Sequence, residues 1–274
     1  MPMNPRLLRP RQTLHPEAAS WAARVAANGG SAGSSLTAVS KFCREIDAAG
    51  IRDRFLRLSL LCGGNLTAAR VPLYVNTSPT GATLGSSIDG NNSFASTDYT
   101  VSGGLKCGTS RSLDTGLAPS DLSYATGHVS VWIKRTGTFG RAGLVSTWNT
   151  GFSQPALFIE YAANTSNGIF NWYREQSSGA GAATGNHLMV TRRSTTDQAW
   201  YSNGALGVQD TTSTTTTATS SVPWHIGARR VGATIESFAD ENVTHYSIGL
   251  SMTAAQITAF YSALQKFMVL LARA

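Results

Sequence analysis

The chain carries little charge for its size. Asp, Glu, Lys and Arg make up 14% of its 274 residues, against about 25% in an average soluble domain. Cysteine is also scarce. Cys43, Cys62 and Cys107 are odd in number and widely spaced, which argues for buried free thiols over a disulfide framework or a thiolate metal site. No apolar run approaches the ~18 residues that a membrane-spanning helix needs. The opening residues, MPMNPRLLRPRQTLHP, place Pro and Arg where a secretion signal would carry an apolar core, so signal-directed export is not expected. Short catalytic signatures are lacking as well. There is no G-x-x-x-x-G-K-[ST] phosphate loop, no H-E-x-x-H and no Ser/His/Asp or Cys/His nucleophile motif. His128, His187, His225 and His245 show no metal-ligand spacing. Asp89, Asp98, Asp114, Asp240 and Glu241 are scattered as in solvated loops, not gathered as in a calcium cage. No cofactor or metal is therefore expected.

Ser, Thr, Asn and 27 Gly fill the place of the missing charge, beside an apolar content of 42%. That composition suits short strands joined by many turns. In HVSVWIKR, Val129, Val131 and Ile133 share one face, and RFLRLSLLCG alternates Leu56, Leu58 and Leu60 against Arg57 and Ser59. GLVSTW, ALFIEYA, GIFNWYRE and HLMVTRR follow at sandwich-like spacing. In QAWYSNGALGV, Asn203-Gly204 supplies the positive φ angles of a type I′ hairpin turn. Helices are expected at both ends of the chain. Near the start, one opens at Pro16-Glu17 and carries Trp21 and Val25. A second runs from about Leu36 to Ala49, with Val39, Phe42, Cys43 and Ile46 on one side and Gly50 as its left-handed stop. At the end, Thr253 and Gln256 form a T-x-x-Q capping box. Beyond it Ile257, Phe260, Tyr261, Leu264, Phe267, Met268 and Leu271 make one helical stripe.

The net charge of +7 is uneven. Residues 1–70 hold ten Lys/Arg and four Asp/Glu, whereas residues 71–274 hold twelve and eleven. The body is nearly neutral and the basicity lies in the first quarter, which suggests two jobs in one chain. Three segments are expected: a basic extended arm over 1–14, a helical anchor region over 15–62, and a β sandwich with its C-terminal helix over 63–274. Arg6, Arg9 and Arg11 of the arm are candidate anchoring residues. Arg52, Arg54 and Arg57 read as an ordinary solvated face. Aromatic residues do not interleave with these arginines, which favours an acidic protein surface over nucleic acid as partner.

The run GLKCGTSRSLDTGLAPSDL, then HVSVWIKR, then HLMVTRR with AWYSNGALG, then PWHIGAR with ENVTHYSIGLSMTAAQITAFY, resembles concanavalin A-like lectin/glucanase (LamG-type) jelly rolls over roughly residues 100–265. The resemblance implies an all-β, two-sheet antiparallel jelly-roll sandwich, with the N-terminal helices packed on one end and a C-terminal closing helix. The opening segment through RFLRLSLLCGGNLTAARVPL is similar to the lead-in of such domains in tailed-phage structural proteins. Glucanases of this superfamily carry paired carboxylates two to four residues apart on one strand; Glu160, Glu175, Glu236 and Glu241 do not stand in that spacing. The expected function is thus a non-enzymatic structural component of a tailed-phage particle (capsid-decorating, collar, tail or fibre protein). It would be made in the bacterial host cytoplasm, located in the virion, and contacted by other virion proteins and further copies of itself. The alternative is an adhesin binding host surface glycans. Trp172-Tyr173 and Trp200-Tyr201 bear on that choice, because strand neighbours point to opposite faces, so one of each pair should leave the inner core. Such rings would form a glycan platform or an interface.

Overall fold

The computed structural model of the chain describes residues 13–76, 86–122, 126–134, 142–147, 158–161, 168–171, 186–211 and 220–273. The α-helices among these residues are α1 (Pro16–Ala27), α2 (Ser35–Ala48), α3 (Leu66–Ala69) and α4 (Ala254–Leu270). The first strands are β1 (Phe55–Ser59), β2 (Tyr74–Val75), β3 (Gly90–Asn92), β4 (Tyr99–Thr100), β5 (Gly104–Lys106) and β6 (Ser112–Asp114). Next come β7 (Gly127–Lys134), β8 (Ala142–Ser146), β9 (Phe158–Tyr161), β10 (Gly168–Asn171), β11 (His187–Ser194) and β12 (Asp197–Ser202). The last are β13 (Ala205–Asp210), β14 (His225–Ile226), β15 (Arg229–Val231), β16 (Thr234–Glu236) and β17 (Asn242–Gly249). A nine-stranded sheet runs β13-β12-β11-β7-β17-β1-β2, with β5 beside β17 and β4 beside β5. A six-stranded sheet runs β10-β9-β8-β14-β6-β3, and β15–β16 is a separate hairpin. Every ladder pairing among the described residues is antiparallel, so the all-β sandwich is the observed architecture.

The register explains how one sheet serves two cores. Val190, Val129 and Ile248 stand opposite one another on β11, β7 and β17, as do Leu188, Val131 and Tyr246. These rungs face the six-stranded sheet and pack there with Leu113, Val145, Ile159, Trp224 and Ile226. The alternate residues face the helices. Leu58, Trp132, Met189, Ala199 and Tyr201 share a second apolar cluster with α1, α2 and α4. The N-terminal helices therefore do not sit on one end of the sandwich, as expected; they lie with α4 over a face of the nine-stranded sheet. The physical reason is that β1, β7, β11 and β12 carry apolar side chains on both faces, so the second face also needs cover. Residues 15–62 thus contribute two helices and a strand to the same body. β1 lies between β17 and β2.

Local signals are realised closely. The α4 capping box forms, with Gln256 N–H donating to Thr253 Oγ1 and Thr253 N–H donating to Gln256 Oε1. Gly50 ends α2 at φ +63°, and Asn203-Gly204 turns β12 into β13 at φ +50° and +75°. Past α4 the buried Arg273 donates to the carbonyls of Leu60, Leu61, Thr244 and Val101. The end of the closing helix is thereby tied to β17 and to the segment after β1. All three cysteines are free and buried, and burial pushes each thiol up to about 12.

Two charged residues expected at solvent are buried. Arg57 was expected at a solvated face and Asp89 in a solvated loop, yet both are fully buried. Arg57 Nε and Nη2 donate to Asp89 Oδ1 at 3.0 and 2.5 Å, and the Tyr246 hydroxyl donates to the same carboxylate at 2.7–2.8 Å. Burial pushes the Asp89 carboxyl up, while Arg57 and Tyr246 pull against it. A β-bulge between Phe55 and Arg57 shifts the side-chain alternation and turns the guanidinium inward. Arg52 and Arg54 are dispersed instead to partners of their own, Glu17 and Asp53.

Polar groups also lie under the helices. His187, Trp132 and His245 form one rung across β11, β7 and β17. His245 Nδ1–H donates to the Ser59 carbonyl at 2.9 Å and His128 Nδ1–H to the Leu250 carbonyl at 2.6 Å. These bonds fix the tautomer and leave each Nε2 as an acceptor. Among the described residues the His187 ring has no hydrogen-bond partner, and it lies between Trp132, Tyr261 and Phe260 at centroid distances of 5.7–5.8 Å. Burial lowers His128 to about 4, His187 to about 3 and His245 well below 6.5.

Three outcomes follow from this packing. Phe260 is buried against Phe55 at 4.8 Å and His245 at 5.5 Å, so Phe260→Ala should cost about 3–5 kcal/mol, read as a lower urea midpoint. An unchanged midpoint would mean that α4 does not cover the sheet. Asp89→Asn leaves the Arg57 charge uncompensated and should cost a further-reaching ~3–5 kcal/mol, whereas the pair Arg57→Met with Asp89→Leu should cost less than that single change. Melting temperatures of the two variants check the order. Finally, the histidines fold neutral, with folded pKa values below the unfolded ~6.5, so the unfolded state binds protons first as pH falls. Stability should be insensitive to them above about pH 6.5 and decline from there toward about 4 and then 3. A urea midpoint that is equal or higher at pH 5 than at pH 7 would contradict this.

Candidate functional site

With the helices over the nine-stranded sheet, the outer face of the six-stranded sheet is the other broad surface of the sandwich. Alternation sends Leu113, Trp224, Ile226 and Ile159 into the core and turns Ser112, Asp114, His225, Ser146 and Glu160 outward. The register gathers them: His225 stands opposite Asp114 on β6 and opposite Ser146 on β8. The β15–β16 hairpin then lays Arg229 and Arg230 over this row. Arg230 Nη1 donates to Asp114 Oδ2 at 3.0 Å and to His225 Nε2 at 3.2 Å. Arg229 binds Glu236 at 2.5–3.0 Å and faces Glu160 at 3.6 Å. Ser146 Oγ donates to Glu160 at 2.6 Å.

Ser112, His225 and Asp114 are thus brought together although no sequence motif links them. Proximity does not make them a nucleophilic triad. Because Arg230 donates to His225 Nε2, the ring proton sits on Nδ1 and points at Ser112 Oγ, 3.1 Å away. That imidazole cannot accept the serine proton. Asn92 Nδ2 donates to the same hydroxyl, which is fully buried. The carboxylates are likewise engaged: Glu160 with Ser146 and Arg229, Glu236 with Arg229, and Asp114 with Arg230 and the Gly116 N–H. Burial pushes Asp114 up but is outweighed by His225 in its protonated form, by the Gly116 N–H and by Arg230, which hold it below its ordinary value. The Asp114–Arg230 pair stays partly exposed, as does Glu236; such donors and acceptors are of the kind that meets polar ligands.

The sequence-selected aromatics divide by face, as strand geometry requires. Trp200 is 1% exposed and lies in the core between the sheets, while Tyr201 is 2% exposed and lies in the cluster under the helices. Neither offers a ring to a ligand. Trp172 and Tyr173 lie outside the described residues, and so do Arg6, Arg9 and Arg11.

Among the described residues one group has metal-like donors: His15, Glu17 and Cys43, whose ligand atoms lie within 4.8 Å of one another. Its atoms are already used. His15 Nδ1 accepts from the Glu17 N–H, His15 Nε2 meets Asp47 at 2.8 Å, and Glu17 is ion-paired with Arg52. The Cys43 thiol, pushed up to about 12 by burial, is protonated at neutral pH. The set reads as the N-terminal cap of α1 packed against α2.

No protein-family model matches the chain, and no curated protein does. Solved structures do. A mutant of Trypanosoma rangeli sialidase displaying trans-sialidase activity superposes with a TM-score of 0.54 at 11% identity, over 85% of this chain and 39% of that one. A NanB sialidase mutant from Streptococcus pneumoniae gives 0.41 at 13% identity, over 56% and 26%. A structure reported for the ganglioside-dependent cell entry of botulinum neurotoxin type C gives 0.38 at 14%, over 59% and 43%; these two scores are too low to add weight. The chain spans about two fifths of the length of the Trypanosoma rangeli sialidase. At such identity the likeness bears on the fold alone, a β-rich architecture shared with part of that sialidase.

Proposed function

We propose that the chain is a non-enzymatic structural module, a lectin-like sandwich displayed on a larger assembly, and that the assembly is a tailed-phage particle. The observation that carries the structural part is where the aromatics go. Trp200 and Tyr201, the described members of the expected sugar platform, are spent on the two cores of the chain itself. The outward carboxylates are engaged by arginines and hydroxyls of the same chain. The virion setting is supported by the similarity of the opening segment to phage structural proteins, and by basicity concentrated in residues 1–70. In this reading the arm, through Arg6, Arg9 and Arg11, binds acidic surfaces of other virion proteins, and no cofactor is needed.

A second reading, glycan binding, draws on the sialidase-like fold and on the partly exposed Asp114–Arg230 pair. A glycan array probed with the purified chain, and with Arg230→Ala as control, separates the two. The structural reading expects no selective spot; a spot lost with Arg230→Ala would favour the lectin.

Removing residues 1–13 should leave the melting temperature unchanged while the protein disappears from purified particles, as counted by mass spectrometry. A large fall in melting temperature would make the arm part of the fold, and full incorporation would end its anchoring role.

A further inference from the structure

The helical layer leaves one apolar surface open. Between α2 and α4 runs a groove of about 670 Å³. Phe42 and Phe267, packed edge to face at 5.8 Å, are buried at its base. Val269 and Leu270 are 65% and 46% exposed on its α4 side. They are two of the four exposed large apolar side chains among the described residues; the others are Leu14 and Leu206. Leu14 directly follows Thr13, whose carbonyl accepts from Arg44 at the same groove. The lining is cationic. Lys41, Arg44 and Lys266 stand against one carboxylate, Glu45, and Lys266 already holds that carboxylate at 2.6 Å. Lys41 and Arg44 are exposed beside the apolar floor.

The geometry points to this groove as the docking site for an acidic amphipathic helix of a different protein. Charge selects the occupant. Residues 1–12 of this chain carry Arg6, Arg9 and Arg11 and no Asp or Glu, so the chain's own arm would meet a rim of its own sign. A second copy would bring an identical cationic rim to the contact. An acidic partner alone is complementary to both the rim and the floor. Shape selects a helix. The walls are helices of 14 and 17 residues, about 21–25 Å long at ~1.5 Å per residue, and a concave channel between two helices receives a third helix on its i, i+3, i+4 and i+7 side chains. A flat anionic bilayer would not reach the floor. The inference stands on the groove and does not require the virion setting.

The test is a selection from a display library of helical peptides of about 16 residues, some 24 Å of helix, against the full chain. Enriched peptides should carry Leu-type residues at i, i+3 or i+4 and i+7 with Asp and Glu on the flanks. Binding of the best peptide should fall at least about tenfold, or ~1.4 kcal/mol, with Val269→Asp, which should leave the melting temperature unchanged. Lys41→Glu combined with Arg44→Glu should reverse the preference toward Lys-rich versions of the same peptide. Four results would overturn the proposal: enrichment without acidic bias or helical spacing; a stronger peptide complex once residues 1–12 are removed, which would make the arm the occupant; a dimer in sedimentation velocity that Val269→Asp abolishes; or tighter binding to phosphatidylglycerol vesicles than to any selected peptide.

Discussion

The structure depends on the burial of its nine-stranded sheet from both sides. One face packs on the six-stranded sheet and the other on α1, α2 and α4. At about 25 cal/mol per Å² of apolar surface, each face alone would be a sizeable term, but neither half of the chain can supply both covers. Helices come from both ends of the sequence, and β1 inserts beside β17, so residues far apart in sequence complete one layer. The likeness to the Trypanosoma rangeli sialidase over 85% of this chain shows that the sandwich itself is a shared frame. Which groups it leaves free is decided by the individual side chains.

The central strands of that sheet, covered on both faces, have to satisfy whatever polar groups they carry. Arg57, Asp89 and Tyr246 do so among themselves, linking β1, β17 and the segment before β3. His128 and His245 do so through backbone carbonyls. Such networks add little net stability compared with well-packed apolar side chains, but each fixes a register that apolar packing alone would leave open to slippage. The same logic governs the other sheet, where Arg229 and Arg230 of the β15–β16 hairpin engage the outward carboxylates. Among the described residues, the partly exposed Asp114–Arg230 pair on that sheet and the apolar groove between α2 and α4 remain open to solvent.

Features set by local chemistry could be read from the sequence. The α4 capping box, its apolar stripe, the Gly50 stop and the Asn203-Gly204 turn depend on neighbours a few residues apart, and each is realised. Alternation correctly placed Val129, Val131 and Ile133 on one face. It misled at Arg57, because period-2 reading assigns a polar residue between leucines to solvent, and a bulge together with cover on the second face cancels that rule. Ser112 and His225 lie 113 residues apart, so only the sheet order brings them together. The groove did leave a trace. Val269 and Leu270 are apolar yet fall off the α4 stripe, an excess on the outer side of a helix that a partner would explain.

Native-state hydrogen exchange tests the double-sided burial most directly. If the helices seal the sheet, amides of β7, β17 and α4 should exchange through one shared opening, with equal free energies and equal denaturant dependence. Amides of α4 that exchange as freely as a frayed terminal helix, while β7 and β17 stay protected, would show that the sheet stands without its helical cover and would contradict the account.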